Sequence, residues 1–236
     1  MFLLASRCVA CGGVLPLPSR GPVCQACWTD VPWLAEPLCR RCSAPLVDGA
    51  RCRCPDLPAG LDAIACAATY AGTARGILHA FKYGGHQTLG DGLAAALQQH
   101  PHLDLDDVDL VVPVPLHPWR RWRRGFNQAE RLASGLGPPV LHALARWRWT
   151  TPQSRLGAAT RRHNLDGAIR VHPRLTRHGR QALLQRLTGA RVLLVDDVVT
   201  TGGTLSACAA VLRETGVVHV TAAVVARTPG RGAAPL

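Results

Sequence analysis

One stretch restricts the fold of this chain more than any other: Arg191 to Thr204, R-V-L-L-V-D-D-V-V-T-T-G-G-T. Val192 to Val195 form a short apolar run rich in branched residues, the pattern of a strand buried on both faces of a parallel sheet. Asp196 and Asp197 are expected at its carboxyl end. Val198 and Val199 lead on to Thr200, Thr201, Gly202, Gly203 and Thr204, a turn of small residues opening a helical pattern. Ligands of open α/β sheets sit just beyond the carboxyl ends of the strands. A glycine-rich turn before a helix offers backbone N–H groups and a positive dipole end, which suits a phosphate, and threonine hydroxyls add donors. Two carboxylates beside such a cradle would accept hydrogen bonds from sugar hydroxyls or oppose a cationic centre. The stretch therefore predicts a site for a sugar 5-phosphate, with phosphate on residues 198–204 and the ribose diol on Asp196 and Asp197. The competing reading makes the aspartates simple helix caps. Capping needs one acid and leaves five turn residues unexplained.

The order of strand, acidic pair, turn and helix resembles the 5-phosphoribosyl 1-pyrophosphate (PRPP) motif of type I phosphoribosyltransferases. That resemblance implies an α/β fold, a mostly parallel twisted sheet flanked by helices, with Asp196 and Asp197 as the catalytic acids.

The head of the chain is of another kind. Cysteines stand at 8, 11, 24, 27, 39, 42, 52 and 54, as three C-x-x-C pairs and one C-x-C pair. A C-x-x-C turn presents two thiolates to one tetrahedral zinc. Cys8, Cys11, Cys24 and Cys27 have the spacing of one structural zinc site. Cys39, Cys42, Cys52 and Cys54 make a second set, whose last pair departs from that spacing. A disulfide framework is the alternative, but no secretory signal supports it: Met1 to Ala5 is too short for a signal core. A redox C-x-x-C would open a helix after a strand, and the prolines and glycines around these pairs oppose that. So small a module has little core, so metal would supply much of its stability. Cys66 and Cys208 lie in apolar patterns and read as core residues. Trp28 and Trp33 are expected to pack the head on the body.

Pro55 to Leu61 reads as a linker. The organisation expected is a cysteine-rich zinc module over 1–58, an α/β domain over 59–228 and a flexible tail over 229–236. In a chain of 236 residues the apolar fraction of 47% suffices for a core, and no apolar run is long enough to span a membrane. The expected compartment is the cytoplasm. The net charge of +12 points to polyanionic partners, PRPP or nucleic acid. Lys82 is the single lysine among 27 basic residues, so an arginine-favouring codon bias accounts for part of that charge.

Within the body, 64–70 and 108–112 read as strands, and 72–82 and 89–98 as amphipathic helices. Lys82, in F-K-Y-G-G-H, is either an anion contact or a favourable charge at a helix end capped by Gly84 or Gly85. After the strand at 108–112 come Pro113, Val114 and Pro115, then H-P-W-R-R-W-R-R-G-F-N-Q at 117–128. Arg120, Arg121, Arg123 and Arg124 crowd one expected loop, with Trp119 and Trp122 between them. Arginine forks bind phosphate, and basic residues interleaved with aromatics also suit single-stranded nucleic acid. Asn127 with Glu130 reads as a helix start. Thr151 and Pro152 open another polar, basic helix over 151–165. Pro173 to Ala190 suggests one peripheral helix around Leu183, Leu184 and Leu187.

The cysteine head, F-K-Y, V-P-V-P-L-H with R-G-F-N-Q, and the closing D-D-V-V-T-T-G-G-T occur here in the order seen in the ComF family. That family comprises competence-associated, phosphoribosyltransferase-like proteins that include GntX-type members, and the likeness runs from Cys8 to Thr204. It implies that Pro113 to Pro115 and the following arginines face a diphosphate, and that 151–165 lies near a hood over the site. It also implies Mg²⁺ on PRPP and a role in natural transformation alongside DNA-uptake proteins. Glycosyl transfer from PRPP needs positioning and charge stabilisation more than a dedicated base. Three functions stay open on sequence alone: a Mg²⁺-dependent phosphoribosyltransferase, a module that binds single-stranded DNA or senses nucleotides, and a zinc protein with an inactive pocket.

Overall fold

The computed structural model describes residues 6–16, 21–46, 51–147, 167–172 and 176–229. At its centre lies a four-stranded parallel sheet. In chain order its strands are β1 (Ala63–Thr69), β2 (Leu110–Pro113), β5 (Arg191–Val199) and β6 (His219–Arg227), arranged β1-β6-β5-β2. Antiparallel β3 (Leu144–Arg146) and β4 (Ile169–Val171) form a small second ladder. The helices are α1 (Gln25–Thr29), α2 (Gly72–Tyr83), α3 (Leu89–Gln98), α4 (Pro118–Arg124), α5 (Gln128–Ala133), α6 (Arg177–Leu187) and α7 (Gly203–Glu214).

Side chains alternate across a strand, and β5 shows what that does here. Leu193 and Val195 join one apolar layer with Ile77, Leu78 and Phe81 of α2 and Leu93 and Leu97 of α3. Val192 and Leu194 join the opposite layer with Leu205, Cys208 and Leu212 of α7 and Leu183 and Leu187 of α6. Both faces are covered, as a parallel sheet requires. Cys66 and Cys208 are fully buried core residues. Because α6 supplies two buried leucines to the second layer, it is an integral part of the core rather than a peripheral addition.

The cysteine-rich head docks on the outer edge of β1. Leu34 N–H donates to the Ala67 carbonyl (2.8 Å), Thr69 N–H to Pro32 (3.0 Å) and Ile64 N–H to Arg41 (2.8 Å). The Ser43 hydroxyl donates to the Ile64 carbonyl (2.9 Å) and accepts from Cys66 N–H (3.1 Å). An edge strand open to pairing with another chain is thereby closed. Trp28 and Trp33 stack in this seam, centroids 6.4 Å apart.

Two further local expectations differ from the structure. The arginine-rich segment is a helix, α4, and not a loop. Pro118 occupies its first turn, the His117 ring accepts from Trp119 N–H (3.3 Å), and Gly125 closes it at φ 81° with its N–H on Arg121 (2.8 Å). Asp196 and Asp197 do not lie past the end of β5. They lie inside it, because β6 keeps pairing as far as Val199 opposite Arg227. The 151–165 segment and the tail beyond 229 lie outside the described residues. Among the described residues no helix is long and apolar enough to cross a membrane.

Candidate functional site: a strand end between two layers, and two thiolate tetrads

Since Asp196 and Asp197 are consecutive strand residues, they face opposite layers. Asp197 is 7% exposed and meets the Lys82 ammonium of α2, Nζ to Oδ1 3.0 Å. Lys82 thus does what neither sequence reading proposed: it neutralises a motif carboxylate from across the sheet face. Asp196 turns toward α7 and β3, where, after burial itself, its charge helps to hold the Cys208 thiol up and Arg146 acts to lower the Asp196 carboxyl. Its Oδ1 accepts the N–H of Asp197 (2.8 Å). Burial first, and then the neighbouring Asp197 carboxylate, push the Asp196 carboxyl up to about 7. The N–H bond, Lys82 and Arg146 act in the other direction. The pair therefore holds one carboxylate fixed by a cation and one whose charge is poised near neutrality.

Past Val199 the chain turns through Thr200 and Thr201, both exposed, into Gly202 at φ 74°, the residue before α7. Glycine is needed there twice over. The left-handed conformation disfavours a side chain, and a Cβ would stand 2.6 Å from the Pro58 ring. The residues read as a linker pack against this turn. Pro55 to Gly60 face Thr200, Thr201, Gly203 and Ser206 across a cavity of about 540 Å³. That role for the linker was not legible in its Pro/Asp/Gly composition.

On the β2 side, Pro113 pairs with Val195 and Val114 N–H donates to the Val195 carbonyl (2.9 Å). Buried Asn127 clamps this strand end. Its Nδ2 donates to the Val114 carbonyl (3.1 Å) while its Oδ1 accepts from Ala129 N–H (3.2 Å), starting α5. The expected anion-binding arginines diverge. Arg121 pairs with Glu130 (2.7 Å). Arg124 donates to Gln128 (3.0 Å) and to the Tyr83 hydroxyl (3.1 Å), and lies over the Tyr83 ring. Arg123 lies over Trp119. Arg120 adds its charge to a basic group: burial, then Arg146 and Arg120, hold the His117 imidazole below its ordinary range. Arg146, on β3, was not singled out by sequence reasoning. The alternating R-W-R-W from 146 to 149 was the available signal. Beside these residues a second cavity of about 460 Å³ runs from Pro113 to His142 and His172.

The head holds two sets of four thiols, Cys8, Cys11, Cys24, Cys27 and Cys39, Cys42, Cys52, Cys54, the sulfurs of each within 4.8 Å of one another. A tetrahedral zinc with bonds of about 2.3 Å puts sulfurs about 3.8 Å apart. Cys11 and Cys24 stand 3.8 Å apart, Cys39 and Cys54 3.6 Å, Cys42 and Cys52 3.4 Å. Backbone N–H groups point at the sulfurs: Gly13 at Cys11, Cys24 at Cys8, Cys54 at Cys52. At Cys8, burial opposes ionisation, yet the N–H groups of Cys24, Cys11 and Ala10 bring the thiol down to about 6. Both tetrads fit structural zinc, and the C-x-C of the second set is no obstacle.

Two families of known proteins match separate parts of the chain. The family described as Double zinc ribbon domain matches residues 1–56, and that described as Phosphoribosyl transferase domain matches residues 123–235. The class is thus a phosphoribosyltransferase-like α/β protein carrying a zinc-ribbon head. Competence protein F of Haemophilus influenzae is 29% identical over 227 residues, 91% of this chain and 93% of that one. DNA utilization protein YhgH of Escherichia coli K12 is 29% identical over 233 residues, 93% and 96%. Over more than nine tenths of its length the chain is thus similar to proteins named for competence and for DNA utilization. Among solved structures, the glutamine PRPP amidotransferase from B. subtilis complexed with ADP and GMP aligns with 58% of this chain. The alignment takes in 26% of that enzyme at 20% identity, with a TM-score of 0.37.

Proposed function

We propose that this protein binds PRPP with Mg²⁺ at the carboxyl edge of β5 and acts as a phosphoribosyltransferase in the handling of DNA taken up by the cell. One observation supports this above the others: an acidic pair and a left-handed Gly202 turn stand together at the edge of an all-parallel sheet, beside a cavity floored by hydroxyls. Residues 198–204 hold the 5-phosphate through amides and the hydroxyls of Thr200, Thr201 and Thr204. Asp197, fixed by Lys82, accepts from the ribose diol. Asp196, ionised, stabilises positive charge on the ribosyl carbon as pyrophosphate leaves. Pro113, Val114 and Pro115, at the end of β2 beside Val195, border the leaving group. When bound, Mg²⁺ would supply charge neutralisation on the diphosphate, and Asp196, the carboxyl of the pair that is not ion-paired with Lys82, would be the oxygen donor fit to meet it. The names of the relatives support the DNA context, and the reading places the action in the cytoplasm. In this reading, 1–58 is the head, 59–228 the transferase body and 229–236 a tail.

Calorimetric titration of the zinc-loaded protein with PRPP and Mg²⁺ tests binding, and pyrophosphate release across a panel of acceptors tests transfer. Absence of heat with PRPP sinks the proposal. A second reading has its own support: α4 buries none of its residues and displays Trp122 at 82% and Trp119 at 45% exposure among four arginines. That surface suits single-stranded DNA. If it binds DNA, replacing Arg120, Arg121, Arg123 and Arg124 by Ala weakens binding of an oligo-dT probe and flattens its salt dependence, while PRPP binding persists.

A further inference from the structure

The linker between head and body is short, and the structure pins it at every third residue or so. Cys54, a ligand of the second tetrad, is followed at once by Pro55. Leu57 N–H donates back to the Cys54 carbonyl (3.2 Å) and Leu57 packs on the second apolar layer. Pro58 is buried, with its ring over Gly202. Leu61 N–H donates to the Pro58 carbonyl (3.3 Å), and Gly60 lies so close to α7 that a Cβ would stand 3.2 Å from that of Ala209. Leu61 is buried and Asp62 N–H is held by the Val220 carbonyl (2.9 Å). One end of this strap is therefore set by the sheet, and the other by four sulfurs. Between the two ends it forms the wall that faces Thr200, Thr201 and Ser206 across the cavity.

We propose that residues 55–60 are a strap that closes one side of the phosphate pocket, and that metal at the Cys39–Cys54 tetrad holds that strap in place. The inference rests on the reading of residues 198–204 as a phosphate site. Physically, a wall that must be ordered at binding weakens binding by the entropy of ordering it, and a wall already fixed does not. Prolines at 55 and 58 restrict φ, Pro58 buttresses the αL turn from which the phosphate-facing amides of α7 emanate, and the tetrad removes the freedom of the remaining end. The first tetrad, at Cys8 to Cys27, has no such covalent continuity with the pocket.

Ribose 5-phosphate is the probe, titrated by calorimetry into zinc-loaded wild type, Pro58→Gly, Cys54→Ser and Cys11→Ser, with zinc content measured on each protein. Pro58→Gly frees one residue's backbone and is expected to weaken the probe about tenfold, with zinc content unchanged. Cys54→Ser is expected to lower zinc content and weaken the probe at least as much. Cys11→Ser disturbs the first tetrad and is expected to leave affinity within about twofold, well inside a one-residue ordering cost. Equal affinity in wild type, Pro58→Gly and Cys54→Ser overturns the strap, as does tighter binding in either variant, which would make it an obstruction. Failure of wild type to bind any probe defeats the phosphate reading instead. The strap then stands or falls on hydrogen exchange: the Gly203–Ser206 amides are expected to exchange faster in both variants, and unchanged exchange overturns it.

Discussion

Single residues decide the charge state of the site. Asp197 carries a buried ion pair with Lys82, so Lys82→Ala leaves a carboxylate unpaired in the sheet layer. Asp197→Asn strands the ammonium instead. Each is expected to cost about 3 kcal/mol of stability in thermal or denaturant unfolding, the range for breaking one partner of a buried pair. Asp197→Asn is also expected to abolish pyrophosphate release. Asp196 behaves in the opposite sense. Its carboxyl is raised to about 7, above its value in an unfolded chain. The folded form therefore holds the proton more tightly, and this contribution to stability is present at low pH and lost as pH rises through 7. Asp196→Asn is accordingly expected to raise the melting temperature at pH 8 more than at pH 5. PRPP affinity in the wild type is expected to rise between pH 6 and pH 8 as Asp196 ionises. An affinity flat across that range would remove Asp196 from the binding step.

At the scale of elements, two junctions hold the strand ends in register. Asn127 joins the end of β2 to the start of α5 through two hydrogen bonds from a buried side chain. Asn127→Ala is expected to destabilise the fold by about 2 kcal/mol, through a lost cap and an unpaired carbonyl. Asn127→Asp keeps the cap acceptor but sets a buried carboxylate against the Val114 carbonyl, so it is expected to destabilise the fold more at pH 8 than at pH 5, read from unfolding curves at the two pH values. The other junction is the turn between β5 and α7. Gly202→Ala meets both the left-handed backbone and the Pro58 ring. It is expected to weaken PRPP binding even where the protein stays folded by circular dichroism. The α4 arginines show why element identity matters for function. Read as a loop, four guanidinium groups can converge on one anion. Wound into a helix, they point around its axis, and Arg121 and Arg124 are drawn to Glu130 and Tyr83.

At the scale of the molecule, the head is a docked edge as much as a metal module. Its backbone and Ser43 occupy the outer side of β1. Stripping zinc with a chelator is expected to expose that edge and produce concentration-dependent association, read by light scattering, because unpaired strand edges recruit other chains. An apo-protein that stays monodisperse with an unchanged melting temperature would mean the head contributes little to closing the sheet.

Local patterns in the chain were enough for the parallel-sheet class, the helices expected at 72–82 and 89–98 and the two cysteine tetrads, and they singled out 191–204 as the candidate site. Each rests on short-range chemistry: apolar periodicity, the spacing of C-x-x-C, and small residues before a helix. What depended on distant segments meeting could not be read that way. The length of β5 follows from how far β6 pairs with it, and strand alternation then sends Asp196 and Asp197 to opposite layers. Lys82 becomes a carboxylate's partner only because α2 packs on that face. Arg146 enters the site from a separate ladder. A linker composed for flexibility becomes a wall because both its ends are tied. Covalent neighbours and hydrophobic pattern dictate which elements form. Only packing in three dimensions determines which charges share a low-dielectric space, and that decides the chemistry of the site.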